Sequence, residues 1–137
     1  MLKPLYLLTL VILLAACGPQ AAVTPPTERE TLNGRWTGRA EDNIGAANVT
    51  LDLVASDTLL TGDVVLNFKL GFSSYSAEGT VEGSVTGETI ALDIIPSDDK
   101  YCPYRASLTR AGEVLEGSYE GIGCKEAING VLTLSRN

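Results

Sequence analysis

Residues 64–70 read VVLNFKL, and in this stretch every second residue is apolar. Alternation with a period of two places Val64, Leu66, Phe68 and Leu70 on one face, which is typical of a β-strand with one buried side. The same alternation recurs in seven other segments, whose inward residues are Trp36; Val49, Leu51 and Leu53; Ala77, Gly79 and Val81; Ile90, Leu92 and Ile94; Tyr104, Ala106 and Leu108; Leu115, Gly117 and Tyr119; and Leu132 and Leu134. We find no convincing helical period between residues 32 and 137. The pattern therefore predicts an all-β domain of eight strands.

Short turns join neighbouring strands at residues 56–58, 86–88 and 110–113, as antiparallel hairpins require. A further pattern, apolar-x-Gly-x-apolar, recurs with its glycine at Gly34, Gly62, Gly83, Gly117 and Gly130. Period two puts these glycines on the inward face, where a strand that coils tightly around a small core has to bend. The pattern favours an eight-stranded antiparallel up-and-down barrel, with a flattened β-sandwich as the alternative.

Three cysteines are present, and Cys102 and Cys124 are expected to form a disulfide. A redox-active or zinc-binding pair is disfavoured, since the spacing is not C-x-x-C and the chain contains no histidine. If Leu108 pairs with Leu115 across the preceding turn, Cys102 lies opposite Gly121. The bridge would then tie the loop after the seventh strand to the start of the sixth.

The N-terminal segment carries one charge, Lys3, followed by an apolar run from Leu5 to Leu14 that is too short to span a bilayer. Its end, Leu14-Ala15-Ala16-Cys17, resembles the lipobox of bacterial lipoproteins. The resemblance implies cleavage before Cys17 and attachment of fatty acyl chains to that residue. Residue 18 is Gly and not Asp, which by the same resemblance favours the outer membrane in bacteria that have one.

The predicted organisation is therefore a signal peptide at 1–16, a lipidated Cys17 with a flexible tether at 17–31, and a β-barrel domain at 32–137. The tether segment is rich in Pro, Ala, Thr and charged residues, without hydrophobic periodicity. Its 14 residues from 18 to 31 reach about 50 Å at most. We expect a cell-envelope protein held close to its membrane.

Net charge and residue usage exclude several classes of function. Loss of Lys3 with the signal peptide changes the net charge from −7 to −8, which argues against nucleic-acid binding. Without histidine, neither Ser-His-Asp nor Cys-His catalysis is available. The candidate carboxylates Asp52, Glu78, Glu82 and Asp93 fall on the polar faces of their strands. The oxygen-rich turns at 41–43 and 97–99 lack the spaced ligands of a calcium loop. We therefore expect no enzyme, no cofactor and no metal.

Gly34-Arg35-Trp36 opens the first strand, and the last strand ends at Arg136. With the eight-strand meander, this resembles the lipocalin and avidin group of barrels. In lipocalins the tryptophan of a G-x-W motif lies at the closed end of the barrel and a late arginine packs across it. The resemblance implies these roles for Trp36 and Arg136.

The aromatic residues are the remaining candidates for a site. Trp36, Tyr75, Tyr104 and Tyr119 combine an apolar ring with a polar tip, which suits a ligand mouth; core packing is the alternative. The sequence thus predicts a non-catalytic, monomeric binding module for a small apolar molecule or a glycan. The alternative is a module that binds another envelope protein, as an enzyme inhibitor or assembly factor.

Overall fold

The computed structural model describes residues 32–57 and 59–136; the predicted signal peptide, Cys17 and the tether lie outside these residues. The described chain forms eight strands: β1 (Gly34–Asp42), β2 (Ala46–Ser56), β3 (Leu59–Leu70), β4 (Ser73–Thr86), β5 (Thr89–Pro96), β6 (Tyr104–Ala111), β7 (Val114–Gly121) and β8 (Asn129–Arg136). Each strand pairs antiparallel with the next, and β8 pairs with β1. The predicted closed up-and-down barrel is confirmed, in place of the flattened sandwich. Within the described residues, no helix is long and apolar enough to cross a bilayer.

The core consists of the inward positions that the period-two alternation predicts. Leu51, Leu92, Leu108 and Leu134 are among the fully buried side chains, and their neighbours in sequence face solvent. Among the described residues, no polar or charged side chain is buried. Ion pairs occupy the outer face instead, such as Arg35 with Asp52, joined at 2.8 Å across β1 and β2. The hydrophobic effect thus selects the face of every strand.

The inward glycines mark places where neighbouring backbones approach closely. A Cβ atom added at Gly62 would overlap the carbonyl oxygen of Asp52 on β2, and one at Gly117 would overlap the carbonyl oxygen of Ser107 on β6. Gly83 and Gly130 meet the same obstacle, so the predicted clash of an inward side chain is confirmed at four of the five glycines. The prediction is wrong for Gly34, which is exposed and has a φ of +113°.

The predicted register of the β6–β7 hairpin is wrong by two residues. Leu108 pairs with Gly117, and Tyr104 rather than Cys102 lies opposite Gly121. The hairpin closes at Ala111 and Val114, because Gly112 takes the first central turn position with a φ of +63°. A shift of two residues leaves every side chain on its predicted face.

One end of the barrel is closed by residues from both extremities of the domain. Trp36 is fully buried there and donates its indole N–H to the carbonyl oxygen of Leu32, at 3.0 Å. The guanidinium carbon of Arg136 lies 4.8 Å from the centre of the Trp36 ring, and Arg136 also donates to the carbonyl oxygen of Asn33 at 2.9 Å. This is the arrangement of tryptophan and arginine that the lipocalin resemblance implies. The barrel is therefore filled and plugged at this end.

Candidate functional site

The opposite end of the barrel contains a cavity of about 520 Å³. Inward residues in this half include the small side chains of Ala40 and Ala47, whereas leucine, isoleucine and tryptophan fill the other half. The cavity opens to solvent beside Ile44 and Tyr75, which are 51% and 49% exposed. Its volume falls within the range of about 300–1,000 Å³ that is usual for small-molecule sites. This end is hollow because small side chains such as Ala40 and Ala47 occupy inward positions there.

Five aromatic rings contribute to the cavity wall. Phe68 of β3 stacks on Tyr101, with ring centres 5.9 Å apart and an angle of 17° between the planes. Tyr104 of β6 meets Tyr119 of β7 edge to face, at 6.0 Å and 74°. Tyr75 of β4 also lines the cavity. Apolar walls with a few polar groups are typical of small-ligand sites.

Asp42, the last residue of β1, is the polar centre of this cavity. Its Oδ2 atom accepts a hydrogen bond from the Tyr119 hydroxyl at 2.7 Å. Its Oδ1 atom accepts from the backbone N–H groups of Ile44 and Gly45, at 2.7 Å and 2.8 Å. The carboxylate therefore connects the β1–β2 loop to strand β7 and fixes the position of a negative charge on the wall.

Opposing effects determine the protonation of this pair. Burial raises the pKa of Asp42, but the hydrogen bonds from Tyr119, Gly45 and Ile44 together outweigh burial and leave the pKa below its ordinary value. Burial, followed by the hydrogen bond to Asp42 and the negative charge there, raises the pKa of Tyr119 strongly. Burial also raises the pKa of Tyr104. At neutral pH the cavity thus presents a carboxylate beside neutral phenols.

Lys100 is the second charged residue on the wall. Its Nζ atom lies 2.6 Å from Asp98 Oδ2 and 5.2 Å from the centre of the Tyr101 ring. The hydrogen bond and charge of Asp98 raise the pKa of Lys100. This cation is consequently paired at the rim and directed toward a surface aspartate.

The loops around the opening are braced to one another. The predicted disulfide is present: Cys102 before β6 is bonded to Cys124 between β7 and β8, with Cα atoms 5.3 Å apart. Asn43 in the β1–β2 loop donates from Nδ2 to the carbonyl oxygen of Ala127 at 2.9 Å and accepts at Oδ1 from the Asn129 N–H at 3.1 Å. Three of the four loops at this end are thereby linked, which holds the opening in a defined shape.

Comparisons with protein-family models, with curated proteins and with solved structures found no match to this chain. The resemblance to lipocalins and avidins thus depends on the Gly34-Arg35-Trp36 motif, on Arg136 and on the eight-stranded closed barrel.

The structure brings together three of the four aromatic residues that the sequence predicted for a site. Tyr75, Tyr104 and Tyr119 line the cavity, but Trp36 does not; it packs beneath Arg136 at the closed end. The large, flat ring of Trp36 fills that end, so its prediction as a ligand-contacting residue is corrected to a packing role. Cys17 lies outside the described residues.

Sequence reasoning missed Asp42 as a residue of the site. A signal was present, because Asp42 follows Trp36 by six residues and so shares its inward face by period two. The other carboxylates behave as predicted: Asp52 and Asp93 pair with arginines on the outer face, and Glu78 and Glu82 are exposed. Among the described residues, no group of three or more acidic or cysteine side chains is arranged to hold a metal ion.

Proposed function

We propose that the protein is a lipid-anchored, non-catalytic cell-envelope protein that binds a small apolar molecule at the open end of its barrel. The observation that carries this proposal is the aromatic-lined cavity of about 520 Å³, in a barrel whose other end is filled. Burial of an apolar ligand in such a cavity is favourable by about 25 cal/mol per Å² of apolar surface removed from water.

The wall chemistry supports an apolar ligand rather than a glycan. A glycan presents many hydroxyl groups, and each one that is desolvated without a partner costs free energy. Most of the wall consists of side chains that cannot form hydrogen bonds, including Val49, Leu66, Ile94 and Leu132. An apolar body therefore matches the cavity better than a polyhydroxylated one.

The cavity also supports a binding role rather than catalysis. Glycosidase-type chemistry requires two carboxyl groups flanking the substrate, about 5–10 Å apart. Within the described residues, Asp42 is the only carboxylate on the cavity wall, and its oxygens already accept hydrogen bonds from Tyr119 and the β1–β2 loop. Such a group is suited to orienting a ligand.

The proposed anchor is compatible with access to this cavity. Leu32 and Arg136 both lie at the closed end, so a lipid on Cys17 would connect to the barrel at the end away from its opening. Radiolabelled palmitate should be incorporated into the wild-type chain and not into Cys17→Ser, and the variant should leave the membrane fraction. Incorporation into Cys17→Ser at the wild-type level would refute the anchor.

Ligand binding can be tested with N-phenylnaphthylamine, a neutral apolar probe whose fluorescence rises in an apolar site. We expect saturable binding by the full-length protein and a loss of about tenfold or more in affinity for Ala47→Phe, whose ring would enter the cavity. Ala91→Phe is the matched control, because Ala91 is exposed on the outer face of β5. Absence of saturable binding by the wild type would refute the proposal, as would equal loss in both variants.

A second candidate function is binding of another envelope protein. Phe72 at the tip of the β3–β4 hairpin is fully exposed, and Ile44 and Ile122 on other loops at the same end of the barrel are also exposed. Exposed apolar side chains at loop tips are common in protein interfaces. A photo-cross-linking residue at position 72 should capture a stoichiometric protein in this case, whereas a carrier of small molecules should yield none.

A further inference from the structure

We propose that the ligand of this cavity is an apolar molecule that carries a protonated amine. The inference rests on the proposed binding function and specifies its ligand class. It follows from the single carboxylate on an otherwise largely apolar and aromatic wall.

Neutral hydrogen-bond donors hold the negative charge of Asp42. A carboxylate offers about four lone-pair sites, and Asp42 uses three of them for the Tyr119 hydroxyl and the N–H groups of Ile44 and Gly45. All three donors are neutral, and within the described residues no lysine or arginine forms an ion pair with this carboxylate. A partly buried negative charge with a remaining acceptor site favours a cationic N–H donor.

Lys100 carries a positive charge on the cavity wall. This residue could in principle attract an anionic ligand such as a fatty acid. Its ammonium group, however, forms an ion pair with Asp98 and lies over the ring of Tyr101. The charge of Lys100 is thus already balanced by Asp98, although its ammonium has further N–H donors. An anionic head group in the cavity would in addition be repelled by Asp42. The cavity therefore disfavours carboxylate ligands.

Aromatic side chains lie beside Asp42 in the cavity wall. Rings attract organic cations through the negative potential of their faces, within about 6 Å of the ring centre. The Tyr119 hydroxyl donates a hydrogen bond to Asp42, and the ring of Tyr104 packs against that of Tyr119. An ammonium group at Asp42 would thus lie beside the Tyr119 phenol, and apolar side chains of the same lining, such as Phe68, would be available to its hydrocarbon body.

The experiment compares three ligands with the same hydrocarbon chain, namely decylamine, decanol and decanoate, below the concentrations at which they aggregate or separate from water. Each displaces N-phenylnaphthylamine from the full-length protein, from Asp42→Asn and from Asp63→Asn. The asparagine at position 42 keeps an acceptor for the loop amides and removes the charge. Asp63 is the matched control, because it is exposed on the outer face of β3.

We expect the wild type to prefer decylamine over decanol by about tenfold or more, which is the usual effect of one charge-assisted hydrogen bond. Decanoate should bind more weakly than decanol. In Asp42→Asn the ratio of the affinities for decylamine and decanol should fall to about one, whatever the absolute affinity, whereas Asp63→Asn should keep both the preference and the wild-type affinity for decanol. Retained decanol binding also shows that the cavity is intact.

Two results would overturn the inference and leave the proposed function standing. One is equal or tighter binding of decanol or decanoate relative to decylamine in the wild type. The other is an amine preference that persists in Asp42→Asn. If the probe itself does not bind, no displacement can be measured and the proposed binding function fails as well.

Discussion

Removal of the Tyr119 hydroxyl should destabilise the barrel at neutral pH. This hydroxyl donates to Asp42 at 2.7 Å and joins strand β7 to the end of β1, across intervening strand β8. In Tyr119→Phe the ring and its edge-to-face contact with Tyr104 remain, so the substitution removes little besides the hydrogen bond. The measured change therefore reports on this interaction.

The magnitude follows from the charge and the exposure of the pair. Hydrogen bonds to charged groups contribute about 1.5–3 kcal/mol. Asp42 is only partly buried, so solvent screening lowers the expected value toward about 1–2 kcal/mol. For a domain of this size, such a loss lowers Tm by about 5–10 °C. Urea denaturation with the disulfide intact should give the same free-energy change at unchanged m-value.

The dependence on pH provides a second test. The pKa of Asp42 is lower in the folded protein than in the unfolded chain, so its contribution to stability is present above about pH 4. That contribution is lost as the pH falls through the folded pKa. The difference in stability between the wild type and Tyr119→Phe should accordingly shrink in acid.

Tyr75→Phe is the matched control, because Tyr75 lines the same cavity and is about half exposed. It should change the free energy of unfolding by no more than about 0.5 kcal/mol. Equal losses in Tyr75→Phe and Tyr119→Phe, or a Tyr119→Phe effect that grows in acid, would refute the assignment of a charge-assisted hydrogen bond.

Three further predictions concern the barrel as a whole. Gly62→Ala should lower the free energy of unfolding by about 2–3 kcal/mol, since a backbone carbonyl occupies the place of the new Cβ; Gly45→Ala, where the space is open, should stay within about 0.5 kcal/mol in urea denaturation. Replacement of Cys102 and Cys124 by serine should cost about 3 kcal/mol for the loop of 22 residues, and an unchanged denaturation midpoint would contradict this. In an ultraviolet titration, Tyr119 should ionise later than an ordinary phenol, because its pKa is raised; its stabilising contribution is complete below about pH 10 and declines as the pH rises toward the folded pKa.

The architecture was predictable because a single physical rule acts on every strand. Alternation of apolar and polar residues selects the inward face, and the short turns leave adjacent strands no arrangement except antiparallel neighbours. The recurring glycines then favoured closure over a flat sandwich. The register of the β6–β7 hairpin was harder to predict from the sequence. The two-residue error at Leu108 arose because a shift of two leaves the alternation unchanged. Only the position of Gly112 in its turn distinguishes the two pairings.

The site was only partly predictable. The alternation of apolar and polar residues shows which side chains face inward, but it does not show whether those side chains fill the interior. Ala40 and Ala47 have the same inward pattern as the leucines of the closed half, and only their volume leaves space. Tyr104 and Tyr119 were recognised from residue type. Asp42 was not, since a carboxylate at a strand end is normally a solvated turn residue.

The two halves of the barrel differ in how fully their interiors are packed. The closed half packs large side chains around Trp36 and so supplies most of the hydrophobic stabilisation, whereas the open half gives up packing contacts to form its cavity. Covalent and polar links lie where that packing is missing: the Cys102–Cys124 bridge, Asn43 and the Asp42–Tyr119 pair all connect loops or strand ends around the opening. These links constrain the opening without filling it. An aliphatic side chain in place of Asp42 would add apolar contacts but remove a link and the carboxylate charge of the cavity wall. The same residue therefore contributes to the shape of the opening and to the proposed choice of ligand.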